Sequence, residues 1–133
     1  EIDIAAQLAV IRPFRQAVTG AHAVDLSDIV CDADLILVVS VYPGFGGQRF
    51  IPSSLQKIAS VRAMIDRTHS HALLEVDGGV KPDNAEAILA AGADVLVAGS
   101  AVFSEHDYAA AISALRAGHV PPPRTNRIVA AQR

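Results

Sequence analysis

The chain has 133 residues, 51% of them hydrophobic and 19% charged, with a formal net charge of -3 at pH 7. That length is one ordinary domain, and that balance excludes a disordered chain and any general attraction to nucleic acid or anionic membrane. The single cysteine, Cys31, excludes an internal disulfide framework.

Its apolar neighbours point to a buried thiol in a reducing compartment. No run reaches the roughly 18 apolar residues that read as a membrane helix. No basic-then-apolar leader opens the sequence, which suggests a cytoplasmic protein. The chain starts at Glu1 directly in helical pattern, so further residues are expected upstream.

Ile4, Leu8 and Ile11 recur at helical spacing and predict an opening helix that Pro13 ends or kinks. Arg15 to Gly20 reads as a helix end and turn, Ala21 to Val24 as a short strand, and Asp25 to Asp28 as a brief capped turn. Leu35 to Val39 is apolar on both faces, as in a parallel strand covered on both sides. It runs into a glycine loop, after which Pro52 opens a helix carrying Leu55, Ile58, Val61 or Arg62, and Ile65 on its inner face.

His69 to His71 is a turn, and Ala72 to Val76 is the next strand, stopped by Asp77, Gly78 and Gly79. Asp83 predicts an N-cap with Glu86 three residues on, and Gly92 predicts the end of that helix. Val95 to Ala98 is a third buried strand. Tyr108, Ile112 and Leu115 mark a last helix closed by Gly118. Residues 119–133, with Pro121 to Pro123 and a basic end, lack a core pattern and predict a mobile tail after a domain spanning 1–118. Alternating strands and helices with short links define an α/β chain of parallel βα repeats. An open doubly wound sheet and part of a (β/α)8 barrel both satisfy this, and both place ligands at the C-terminal strand ends.

Those ends are where the glycines lie. Gly44, Phe45, Gly46 and Gly47 follow the first of these strands, Gly78 and Gly79 the second, Gly99 and Ser100 the third. Glycine lets backbone N–H groups approach a phosphate, and a following helix N-terminus adds donors. One such loop alone reads more simply as a tight turn; three in one frame favour an anion. Neither the Walker lysine nor G-x-G-x-x-G is present.

Asp77, at a strand end before two glycines, can ligate a divalent metal or move a proton beside a carbonyl, in preference to merely capping its loop. Glu75 lies deeper on the same side and either orients Asp77 or is a buried structural acid. His69 and His71 sit at the opposite end and read as a solvated turn, and Ser104 to Asp107 reads as the start of the last helix.

Leu37-Val-Val-Ser-Val-Tyr-Pro-Gly-Phe-Gly-Gly-Gln-Arg-Phe50, Glu75-Val-Asp-Gly-Gly-Val80 and Ala98-Gly-Ser-Ala-Val-Phe103 resemble, in order and spacing, the C-terminal signatures of the ribulose-phosphate 3-epimerase family. The resemblance covers roughly residues 25 to 118. It implies the C-terminal half of a (β/α)8 TIM-type barrel, with these strands as the sixth to eighth. It also implies an isomerase of the pentose phosphate pathway that interconverts D-ribulose 5-phosphate and D-xylulose 5-phosphate. Gly44, Phe45, Gly46, Gly47, Gly78, Gly79, Gly99 and Ser100 would hold the sugar phosphate. Asp77 would be both a metal ligand and one of two acid/base carboxylates, with a divalent zinc, iron, manganese or cobalt ion as cofactor. A homo-oligomer is expected.

The family's second aspartate, two metal-binding histidines and early serine have no counterpart here. A whole barrel takes about 200 residues or more. Val39 and Tyr42 stand where the family usually has Met and Asn, and residues 20–34 are short for a fifth strand and helix. This chain alone is therefore expected to be inactive. The rival readings are a hexulose-phosphate 3-epimerase or related synthase, and a non-catalytic phosphosugar-binding half-barrel.

Overall fold

Among the described residues, five strands form one sheet in chain order: β1 (Ala9–Ile11), β2 (Phe14–Thr19), β3 (Leu35–Val39), β4 (Leu73–Asp77) and β5 (Val95–Val97). The computed structural model describes residues 9–11, 14–19, 26, 29–42, 44 and 47–116. β1 pairs antiparallel with β2, and every later pair is parallel. Among the described residues the helices are α1 (Ser54–Arg67) after β3, α2 (Pro82–Ala90) after β4, and α3 (Ser100–Phe103) and α4 (Tyr108–Arg116) after β5. The βα repeats are thus present as expected, with no helix long and apolar enough to cross a membrane among the described residues.

The first part of the chain departs from the sequence reading. Ile11 belongs to a strand and not to a helix, and of Arg15 to Gly20, expected as a helix end and turn, the described residues 15–19 lie in β2. Helical spacing of three residues does not exclude a strand, and Val10, Ile11, Val18 and Thr19 are β-branched residues that suit one. Pairing of β2 with β3, from Gln16 opposite Leu35 to Thr19 opposite Val38, supplies the backbone partners that local pattern does not reveal. Ala21 to Val24 and the tail 119–133 lie outside the described residues.

Alternation along the strands sorts the sheet into two faces. Ile36, Val38, Leu74 and Val76 are fully buried under Ile58, Val61 and Ile65 of α1, Ala85 and Ile88 of α2, Val102 and Leu115. Each fully buried Ile, Leu or Val side chain contributes roughly 1.5–3 kcal/mol, so this helix-covered side carries most of the stability. The other face, with Leu37, Val39, Glu75, Asp77, Val95 and Val97, is only partly covered by the described residues. Val97 is 36% exposed where a buried strand was expected, and Leu73 at the start of β4 is 42% exposed.

Helix ends show which sequence signals were right. Gly92, at φ +113°, ends α2 as expected, with Gly92 N–H donating to Leu89 O and Ala93 N–H to Ile88 O. His69 does the same for α1 at φ +53°, an unusual backbone for a residue with a Cβ. The start of α2 is different from the prediction: Lys81 is the N-cap and Pro82 the first helical residue, so Asp83 and Glu86 lie inside the helix. Lys81 takes the cap position expected of Asp83, and Asn84 takes the third helical position expected of Glu86, its Oδ1 accepting the Lys81 N–H at 2.9 Å.

α4 buries Ala111 and Leu115, while Tyr108 and Ile112 face outward and Tyr108 packs edge-on against Phe103. Asp107 Oδ1 accepts the Ala110 N–H and so starts that helix. Cys31, expected to be buried, is exposed, because the turn after Leu26 sends Val30 and Ala33 inward instead.

Candidate functional site

The parallel register sets Val39 opposite Asp77 and Asp77 opposite Val97, so β3, β4 and β5 end at one level. The loops that follow are therefore neighbours in space, although they are far apart in sequence. Asp77 is exposed on the partly covered face, with Glu75 half-buried two residues below it on the same side. Burial raises the Glu75 carboxyl above its usual range, and the charge of Asp77 raises it further.

The β3 and β4 loops are locked together by glycine. Gly79 has φ +66°, and a Cβ there would stand 2.2 Å from the Phe50 backbone nitrogen. Gly78 has φ +119°, and its Cβ would meet the Val41 side chain at 2.7 Å. Only residues without a side chain let Asp77 turn so sharply against Arg49 and Phe50. Gly44 and Gly47 also have positive φ, +153° and +74°, but nothing lies within 4 Å of where their Cβ would be. Their glycines serve the loop's own turn. Phe45 and Gly46 lie outside the described residues. Gly99 caps α3 with ordinary φ of −72° and open space around it, leaving Ser100 exposed at the first turn.

Two residues that the sequence reading passed over hold this arrangement. Ser40, fully buried at the end of β3, donates through Oγ to Gly78 O at 2.7 Å, with Asp77 O also within reach at 2.9 Å. Asn84 Nδ2 donates to Gly79 O at 2.9 Å. The available signals were a serine directly after an apolar strand and an asparagine five residues beyond a double glycine. Tyr42 is 67% exposed and its carbonyl accepts from the Gln48 side chain, so its ring stands in solvent.

A cleft of ≈ 710 Å³ opens beside Ser100 between the start of α2 and the α3–α4 turn, lined also by Lys81, His106 and Asp107; Asp77 and the other loop glycines are not part of it. Among the described residues no three His, Cys, Asp or Glu side chains come together as metal ligands. Asp77 is one hard oxygen donor, and a divalent ion needs several. The described residues do not fit a complete metal site.

Parallel βα repeats with glycine loops and a carboxylate at aligned strand ends define an α/β protein of the parallel-sheet class. The profile of the Ribulose-phosphate 3 epimerase family matches residues 17–103. The chain is 52% identical over 95 residues to the ribulose-phosphate 3-epimerase of Synechocystis sp., which is 71% of this chain and 40% of the relative. It is 53% identical over 90 residues to that of Escherichia coli, and 52% identical over 89 residues to that of Mycobacterium bovis, each 67% of this chain. This chain belongs to the ribulose-phosphate 3-epimerase family, and it spans about 40% of the length of these relatives.

Proposed function

We propose that the chain forms the phosphate-holding, single-acid side of a ribulose-phosphate 3-epimerase site, built on the C-terminal strands of a (β/α)8 barrel. The observation that carries this reading is the position of Asp77. It stands at the end of the central strand of three, on the partly covered face, with glycine loops on both neighbouring strands. Epimerisation at C3 of ribulose 5-phosphate requires a proton to leave one face of the carbon beside the ketone and another to return to the opposite face. Asp77 is suited to one of these transfers, accepting the C3 proton as the enediolate forms or returning it in the reverse direction.

The N–H groups around Gly79 and Gly99 would hold the phosphate, a remote group whose binding orients C3 toward the carboxylate. A second acid, and the further ligands that a metal at Asp77 would need, would come from residues beyond those described. The reading therefore expects binding without turnover from this chain alone. Ribulose 5-phosphate should shift the amide NMR resonances of Gly79 and Gly99, while a coupled epimerase assay with zinc, manganese or iron should stay at background. Robust turnover would overturn the single-acid reading, and unmoved glycine amides would overturn the phosphate site.

A further inference from the structure

The β3–β4 ladder stops one bond earlier than its register allows. Ser40 N–H donates to Asp77 O at 2.8 Å, and in a parallel ladder the next bond would run from Gly79 N–H to Ser40 O. Ile51 N–H takes that carbonyl instead, at 2.9 Å. The Ser40 hydroxyl has one proton and two carbonyls in reach, Gly78 O at 2.7 Å and Asp77 O at 2.9 Å. Holding Gly78 O fixes the peptide plane that it shares with Gly79. In a trans peptide the Gly79 N–H must then point the opposite way. The plane on the other side of Gly79 is held as well, through Asn84 Nδ2 on Gly79 O at 2.9 Å. Among the described residues nothing accepts from the Gly79 N–H.

We propose that Ser40 is a positioning residue: by holding the Gly78 carbonyl at the point where the ladder ends, it keeps the Gly79 N–H aimed at a phosphate oxygen. The inference rests on the phosphate reading above and adds the device that prepares the donor. An N–H left without a protein partner and fixed in direction forms a charge-assisted bond to an anion with little reorganisation. Without the hydroxyl, the Gly78–Gly79 plane can turn, and the donor loses its direction. Asn84 braces the far side of the same loop.

Inorganic phosphate titrated into the full chain, followed by amide NMR, tests this in the wild type, Ser40→Ala and Ser40→Cys. The Gly79 resonance should move on phosphate addition to the wild type. The dissociation constant should rise about tenfold in Ser40→Ala, as expected for loss of one charge-assisted bond, and less in Ser40→Cys, whose thiol is a weaker donor. Equal affinity in a folded Ser40→Ala overturns the role of Ser40 while leaving the phosphate site standing. No response at Gly79 in the wild type removes the phosphate reading and the role of Ser40 with it. Hydrogen exchange on the unmutated chain decides the matter even where Ser40→Ala does not fold. The Gly79 amide should exchange freely without phosphate and slow down with it, and protection without phosphate overturns the proposal.

Discussion

The two ends of the same three parallel strands are built on opposite rules. At the N-terminal end, polar groups are satisfied within the protein. Asp94 Oδ2 accepts the Leu74 N–H at 2.8 Å and Arg62 Nη1 at 3.3 Å, and Arg62 also pairs with Asp66. Ser70 Oγ donates to Val30 O at 2.6 Å, and His71 Nε2 lies 3.3 Å from Asp34. At the C-terminal end, side chains from Ser40 and Asn84 occupy the loop carbonyls and leave the Gly79 N–H with no acceptor among the described residues. One end closes its polar groups on each other, and the other leaves a backbone donor that the proposed reading assigns to a phosphate. The difference teaches that a glycine at the binding end has to be judged by what surrounds it, since Gly79 is there for packing and Gly99 leaves open space.

The largest expected break in this comparison is Gly79→Ala. Its Cβ would meet the Phe50 backbone at 2.2 Å in a left-handed conformation, and neither loop can retreat without giving up the Ile51 N–H bond to Ser40 O or the Asn84 bond to Gly79 O. A loss of about 3 kcal/mol or more is expected in urea denaturation, from overpacking and strained φ together. Gly99→Ala, at φ −72° with open space, should change stability by less than about 0.5 kcal/mol. Equal effects at the two positions would show that the loops do not pack as described.

Asp94→Ala should come next, at about 2–3 kcal/mol, because it strips the part-buried Leu74 N–H and the Arg62 guanidinium of an acceptor. The same denaturation measurement reads it, and a change below about 0.5 kcal/mol would mean that the N-terminal end contributes no more than a solvated surface pair.

The smallest effect is one of pH. Burial and then the Asp77 charge raise the Glu75 carboxyl in the folded chain. A raised carboxyl holds its proton more tightly when folded. Its contribution is therefore fully present below the carboxyl's ordinary value of 4.5 and is lost as pH rises through the folded one. Glu75→Gln should gain stability relative to the wild type between pH 4 and pH 7, read as a growing difference in urea midpoints. A difference that shrinks over that range would mean that Glu75 is stabilised as a carboxylate, by a partner beyond the described residues.

Much of this site was legible because its signals are local. An apolar run, a glycine pair and helical spacing lie within a few residues of one another, and Asp77 at the end of β4 follows from them. The opening strands were not legible, since Ile11 at helical spacing also fits a β-strand, and only the pairing of β1 with β2 and of β2 with β3 decides between them. Asp83 looked like the cap of α2 by composition. The backbone instead enters the helix at Lys81, because the Gly79 turn and Pro82 set the direction before Asp83 is reached.

By itself the sequence determined the βα repeat, the family and the carboxylate, since each rests on residue types at short spacing. The tertiary structure decided which backbone groups are held and which have no acceptor among the described residues. The Ser40 hydroxyl reaches carbonyls 37 and 38 residues away. Whether it ends a ladder or merely follows a strand depends on strand register, which no pattern within either segment encodes.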